Sequence, residues 1–428
     1  MERLQGLTGI LLLTGIAFAL SSNRSRINPR IVIAGILLQV FLAWLFLSFP
    51  PAVAVFGWFA TVVTRIISFA DDGTRFLFGN VSDASGPWGF IFAVKVLPII
   101  IFFAAFMAVL YHLGIMQRVV AAVAWVLRRT LGVTGAEALS ASANIFVGQT
   151  EAPLCIRPYI NAMTRSQIMA IMTGGFATIA GSVMAAYITK LGGDSEAGRI
   201  LFAKHLMTAS VMSAPAAFVM AKIMVPEIEQ PRPETLTSLM KDERTTRNVL
   251  DAAAAGATDG LKLALNVAAM LVAFVALLAM LNWPLQALSM LEPIARWREA
   301  HGIPVLSFES ILGYIFMPIT WCQGVPAADC AAVGALLGKQ VIATEFVAYL
   351  SLSDHISAGT ISSRAAQIAT YSLCGFANLP SIAIQIGGLS ALAPERRADF
   401  ASLGLRAMTA GALACWMTGT IAGIFIQP

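Results

Sequence analysis

"NIFVGQTEAPL", residues 144–154, sets Asn144, Gln149, Thr150 and Glu151 inside an apolar neighbourhood, with Gly148 and Pro153 bracketing the Gln-Thr-Glu triplet. An ionisable carboxylate there needs a reason, because the composition around it is that of a protein living in a bilayer. Of 428 residues, 58% are hydrophobic and 12% charged, and mean hydropathy is +0.77. Typical soluble domains are about 25% charged. A water-soluble fold could not hide so much apolar surface, so the chain reads as an all-α integral membrane protein. A charge at the bilayer centre costs roughly 2.5–3.5 kcal/mol or more.

Other classes fall away on composition. The net charge of +5 is scattered, and no Lys/Arg block suggests nucleic acid. Cys155, Cys322, Cys330, Cys374 and Cys415 show no CxxC spacing and read as packing residues. The four histidines are isolated, and without HExxH or GxSxG the chain is not read as an enzyme. At the N-terminus, Leu7–Leu20 is apolar and Ala17-Phe18-Ala19 resembles a signal-peptidase site. However, Glu2 beside Arg3 makes a poor basic leader, and Arg24, Arg26 and Arg30 follow the apolar run. An uncleaved first span with its N-terminus outside fits better.

A spanning helix needs about 20 predominantly apolar residues. Eight stretches qualify: Gly6–Ser22, Ile31–Phe49, Phe90–Leu113, Ser166–Lys190, Ile200–Val225, Asp259–Leu281, Arg364–Leu389 and Leu403–Ile426. Met116–Leu131, Pro51–Phe69 and Trp283–Tyr314 read as interfacial amphipathic helices, with Trp58, Trp283 and Trp297 as anchors. With both termini outside, the cytoplasmic side receives Arg118, Arg128, Arg129, Arg165, the Lys241/Arg244/Arg247 linker, Arg396 and Arg397. The outer side receives Asp71, Asp72, Asp83, Asp194, Glu196 and Asp354. That satisfies the positive-inside rule.

Two segments do not fit as spans. Gly135–Thr164 and Ala327–Ser353 are each two short apolar legs, meeting at Gly148–Pro153 and at Ala343-Thr344-Glu345. Each reads as a re-entrant hairpin, which is tolerated only where protein or a polar cavity receives its tip. Each is followed by a related cluster, "GFATIAGSV" (175–183) and "GFANLPSIA" (375–383), near the middle of the next span. Gly174, Gly175, Gly181 and Ser182 are expected to weaken the first of these helices, and Gly375, Asn378, Pro380 and Ser381 the second. Three spans separate the hairpins, so the second copy is inverted. Hairpin plus broken helix, repeated upside down, points to a secondary transporter with a midplane site. Glu151 and Glu345 are then tolerable at polar tips. For Glu151 a second reading stays open, a carboxylate tied to the scaffold by backbone amides.

At "NIFVGQTEAPL", "MTGGFATIAGSVMAAYI", "TEFVAYLSL" and "SLCGFANLPSIAIQIGG" the chain resembles the concentrative nucleoside transporter family, bacterial and sodium-coupled in type. The resemblance runs from about Ile31 to the end. It implies a homotrimer with eight spans and two hairpins per subunit, a scaffold beside a mobile transport domain, and uptake of purine or pyrimidine nucleosides with co-transported sodium. It also implies residue roles. Gln149, Thr150 and Glu151 would face the nucleobase, and Val183 would pack on it. Glu345, Asn378 and Ser381 would hold the ribose, with Phe376 lining the pocket. Asn144 and Thr178 side chains, with the Val147 and Ile179 carbonyls, would bind sodium. Thr344 departs from the Asn that many members carry before this Glu. Asn144 read as a packing amide, and Ser381 as a hydroxyl bonded back to its own helix, remain open.

The expected organisation is scaffold helices over 1–50, interfacial helices and a third span over 51–131, and a first repeat over 132–225. A linker, sixth span and interfacial helix over 226–322 precede a second repeat over 323–428. The expected function is sodium-driven nucleoside symport by an elevator-type movement in the bacterial inner membrane. The alternative is a proton-coupled symporter in which Glu151 or Glu345 carries the proton. A channel, or a membrane-embedded enzyme, fits the inverted repeat less well.

Overall fold

The computed structural model describes residues 2–83, 86–89, 91–193, 195–231, 246–300 and 305–426. Phe90, Asp194 and most of the polar linker, with Lys241 and Arg244, lie outside the described residues. The fold is helical, with no strand among the described residues. The helices run α1 (Glu2–Ala19), α2 (Pro29–Leu47), α3 (Pro50–Phe78), α4 (Leu97–His112), α5 (Ile115–Leu131) and α6 (Gly135–Asn144). A 3-10 leg, Ala152–Ala162, leads to α7 (Arg165–Ala177), α8 (Gly181–Gly192), α9 (Glu196–Met224), α10 (Val249–Ser289) and α11 (Glu292–Ala300). Then come α12 (Phe308–Cys322), α13 (Cys330–Ile342), α14 (Glu345–Ala358), α15 (Ser363–Ser372), α16 (Leu379–Leu392) and α17 (Arg397–Phe425).

Both expected hairpins are present as pairs of short legs: α6 with the 3-10 leg, and α13 with α14. At about 1.5 Å per residue none of these helical legs approaches the roughly 30 Å of a bilayer core. Both expected broken helices are present too, as α7/α8 and α15/α16. The first break does not fall on the glycines, whereas Gly375 lies within the second, between α15 and α16. Thr178 (φ −128°, ψ 165°) and Ala180 (φ −68°, ψ 144°) are extended, whereas Gly174 and Gly175 lie inside α7. Those glycines supply space instead of a bend: a Cβ on Gly175 would sit 3.0 Å from Gln149 Cβ. In the second repeat Asn378 (φ −135°, ψ 157°) caps α16 by accepting from Ser381 N, and Pro380 occupies its first turn, where a fixed φ favours the helix. The two breaks meet, with Phe376 N donating to Thr178 O at 3.3 Å. A Cβ on Gly375 would lie 2.6 Å from Phe176 O, so only glycine admits that approach.

Among the described residues, seven helical stretches are long and apolar enough to cross a membrane. Pro50–Ser82 is among them, although its first part was expected at the interface, and α1 (over Gln5–Ala19), α12 and α16 are shorter apolar helices. Trp283–Tyr314 is not one interfacial element. Trp283 belongs to the 41-residue α10, Trp297 to α11 and Tyr314 to α12. Asn282 joins the pieces, donating to Glu309 Oε2 at 2.8 Å and accepting from Phe308 N at 2.7 Å.

Packing divides the helices. The α7/α8 helix is buried on all sides, and α9 and α17 nearly so. The first two helices, expected as scaffold, pack on this inner bundle, α2 against α9 and α1 against α17. A separate pair forms where α10 lies on α4. Ala252, Gly256, Gly260 and Ala264 recur every four residues as its buried stripe, and a Cβ on Gly256 would meet Ala104 O at 2.8 Å. Small residues at this spacing let membrane helices approach closely. The other faces of α10 carry Val272, Met280 and Trp283, all exposed.

The feet of both hairpins are fastened to the bundle. Thr134 caps α6 and Thr164 caps α7 in capping boxes with Glu137 and Gln167. Buried Lys222 of α9 reaches Glu137 Oε1 at 2.6 Å and Ser166 Oγ at 3.0 Å, with Glu227 at 3.6 Å. In the inverted copy Arg364, at the start of α15, donates to Gly324 O at the foot of the second hairpin and to Gly423 O and Ile426 O at the end of α17.

Candidate functional site

The two hairpin tips face one another along α16. Asn378 and Ser381 begin that helix beside the second tip, Gln385 follows one turn on, and Gly388 touches the first tip. A Cβ on Gly388 would lie 3.0 Å from Thr150 Cγ2. At about 1.5 Å per residue the two ends of this wall stand roughly 15 Å apart. The opposing wall is α8, where Val183 and Tyr187 sit one turn apart on one face.

At the second tip, Thr344 caps α14 by accepting from Val347 N, so the Thr that departs from the family pattern serves as a helix cap. Glu345 is the first residue of that helix and is 4% exposed. Its Oε1 accepts from Tyr187 O–H and its Oε2 from Asn378 Nδ2, each at 2.8 Å. The carboxylate is thus held by one group from each repeat, which is how the fold tolerates it in an apolar interior. Each oxygen can still accept one more donor. Ser381 is buried here and gives its N–H to Asn378. Phe376 is half-buried at the crossing of the two breaks.

At the first tip Gln149 is buried, while Thr150 and Glu151 are exposed. Glu151 Oε2 accepts from Gly148 N at 3.0 Å, so the tie to a backbone amide holds without burying the residue. Gln149 Oε1 accepts from Gln385 Nε2 at 3.5 Å, and Gln385 also donates to Met172 O at 3.0 Å. Gln385 Oε1 is buried with no hydrogen-bond partner among the described residues, and a buried acceptor of this kind calls for a donor.

The cation-site candidates converge between the first tip and the first break. Asn144 Nδ2 donates to Thr178 Oγ1 at 2.6 Å and to Gly174 O, which leaves its Oδ1 for another partner. Gly181 N donates to Phe146 O at 3.1 Å, pinning the break to the hairpin. Among the described residues no backbone N–H donates to the carbonyls of Val147 or Ile179. A side-chain amide oxygen, a hydroxyl and two unused carbonyls make an uncharged oxygen set, chemically suited to a hard monovalent cation bound reversibly.

Sequence reasoning missed Tyr187 and Gln385. Both carried a readable signal: each is a polar residue one helical turn beyond an assigned one, Val183 and Ser381, within an apolar run.

Three family models match the chain. Residues 205–423 match one described as "Na+ dependent nucleoside transporter C-terminus", 8–81 its N-terminal counterpart, and 93–194 one described as "Nucleoside recognition". An uncharacterized transporter of Haemophilus influenzae is 44% identical over 433 residues, spanning 100% of this chain and 98% of the relative. Sodium/nucleoside cotransporter 2 of Rattus norvegicus is 39% identical, over 100% of this chain and 63% of the relative. The solved structure of CNTnw in an inward-facing substrate-bound state superposes with a TM-score of 0.90 at 39% identity, covering 99% of this chain and 98% of that one.

Proposed function

The chain belongs to the sodium-dependent, concentrative nucleoside transporter family, and we propose that it takes up nucleosides by sodium symport through an elevator-type movement. The observation that carries this reading is the constellation spanning both repeats: Glu345 bound by Tyr187 of the first repeat and Asn378 of the second, with Gln149 and Gln385 joined at the other end. Glu345, Asn378 and Ser381 take the ribose, whose vicinal hydroxyls suit a carboxylate and an amide. Gln149, Thr150 and Glu151 take the edge of the purine or pyrimidine base, and Val183 and Phe376 its apolar surroundings. Sodium binds to Asn144, Thr178 and the Val147 and Ile179 carbonyls, close enough to the first tip that ordering by one ligand favours the other.

Neither Asn144 nor Thr178 titrates, which supports sodium over the proton as the driving ion. In proteoliposomes, uptake of labelled uridine or adenosine is expected to require an inward sodium gradient at constant pH. Asn144→Ala should raise the half-saturating sodium concentration. Uptake that follows a pH gradient and ignores sodium would favour the proton-coupled alternative.

The fastened feet of both hairpins and the crossing of the two breaks support movement of both repeats as one body, with α1, α2, α9 and α17 carried along. The α4–α10 pair is then the static scaffold, and the exposed apolar faces of α10 meet lipid or the neighbouring subunits of a homotrimer. The domain boundaries proposed from sequence shift accordingly for 1–50. The chain is multi-pass, in the bacterial inner membrane, with both termini on the outer side.

Ala152, a natural probe position at the first tip, is buried, whereas Leu154 is 53% exposed. We therefore expect Leu154→Cys, in a background without the five native cysteines, to react with an impermeant thiol reagent from the cytoplasm when the carrier is trapped inward and to be protected when it is trapped outward. Equal reactivity in both trapped states, with transport intact, would leave only hairpin opening.

A further inference from the structure

Away from the transport site, a cavity of about 540 Å³ lies between the ends of α2 and α17 and the early turns of α9 and α15, lined by Leu47, Ser48, Lys204, His205 and Gln367 among others. Its polar lining is chemically one-sided. Lys204 is half-buried, and among the described residues it has no acidic partner and no carboxylate lines the cavity. His205 is 4% exposed, and its Nδ1 is bonded to Tyr371 O–H at 3.0 Å. Its Nε2 is buried with no partner among the described residues. The carbonyls at the end of α17, whose partial negative charge would repel an anion, are covered by the Arg364 guanidinium. The remainder of the lining includes Leu201, 42% exposed on the outer surface of α9, and Phe425.

We infer that this cavity binds a phosphate group. Lys204 supplies the charge, the Gln367 amide supplies a directed hydrogen bond, and Leu201 and Phe425 lie where acyl chains would pass. Phosphate chemistry is shared by free phosphate and by an anionic phospholipid headgroup, and the apolar flank beside the donors favours the lipid. The site uses none of the residues assigned to nucleoside or sodium.

Native mass spectrometry of the delipidated full chain, with phosphatidylglycerol or phosphatidylcholine added back, tests this. One phosphatidylglycerol per chain should be retained in preference to phosphatidylcholine. Lys204→Gln should weaken retention about tenfold, in line with loss of a charged hydrogen bond, while Lys204→Arg should preserve it. Gln367→Glu, which puts a like charge in the cavity, should abolish retention without removing any existing lysine contact. If wild type retains no lipid, but millimolar inorganic phosphate raises its melting temperature and not that of Lys204→Gln, the occupant is free phosphate. Equal lipid retention by wild type, Lys204→Gln and Gln367→Glu, with melting indifferent to phosphate, would overturn the assignment.

Discussion

Replacing Glu345 by Gln is expected to weaken ribonucleoside binding by on the order of 10- to 100-fold, the worth of roughly 1.5–3 kcal/mol for a hydrogen bond to a charged acceptor. The substitution keeps the bond to Asn378. Asn378 Nδ2 can only donate to this side chain, so the Gln oxygen must turn toward it, and the new NH2 then faces Tyr187. A tyrosine hydroxyl can accept as well as donate, so Tyr187 can accept from the new amide, but its own buried O–H then loses its acceptor. What disappears is acceptor strength at the lone pairs left for the sugar. Tyr187→Phe should cost less, roughly 1 kcal/mol, because Asn378 still holds one carboxylate oxygen. Titration calorimetry with ribonucleosides and with analogues lacking one ribose hydroxyl separates the causes. The analogues should lose less than the ribonucleosides on mutation. Equal losses for both classes would show that Glu345 does not read the ribose.

What was legible beforehand follows from what a membrane makes conspicuous. Glu151, Glu345, Asn144 and Asn378 stand out because an apolar run tolerates such residues only at a price. The hairpins were legible because their legs are too short to cross. The breaks were placed to within a few residues, and Gly375 does lie in the second, but Gly175 was taken as a bend when it serves as a clearance for neighbouring side chains. Such a role depends on what lies opposite, which the local sequence does not contain. The partners of α1 and α2 were not legible for a related reason. They are apolar nearly all round, so no face announces the partner. By contrast, Gly256 and Gly260 with Ala252 and Ala264 form a stripe at four-residue spacing on the face of α10 that meets α4, a signal the sequence carried and the reading did not use. The foot of the first hairpin was out of reach altogether, because Glu137 and Lys222 belong to elements distant in sequence and their pairing exists only in the folded chain.

That pairing carries the other large effect. Lys222 is 4% exposed and Glu137 2%. Their contact at 2.6 Å sits within bonds that link both hairpin-one capping boxes to α9. Removing only the lysine, as in Lys222→Ala, leaves Glu137 buried without a counter-charge, an error that costs about 3–5 kcal/mol. Proteins are stable by only about 5–15 kcal/mol, so a steep fall in melting temperature in detergent is expected. Glu227 offsets little of this, since it adds a second negative charge to a site that has lost its cation. The double variant Glu137→Gln with Lys222→Met removes both charges while roughly keeping volume. Replacing a buried ion pair in this way is often neutral for stability, so its melting temperature should return close to that of the wild type. Transport by the double variant then reports on the hairpin itself: if the ion pair serves only to fasten the foot, uptake recovers with stability. Recovered melting with lost uptake would mean that the charges take part in the transport cycle. A Lys222→Ala protein that melts like the wild type would show that the foot is held elsewhere, and would remove a main support for the two repeats moving as one body.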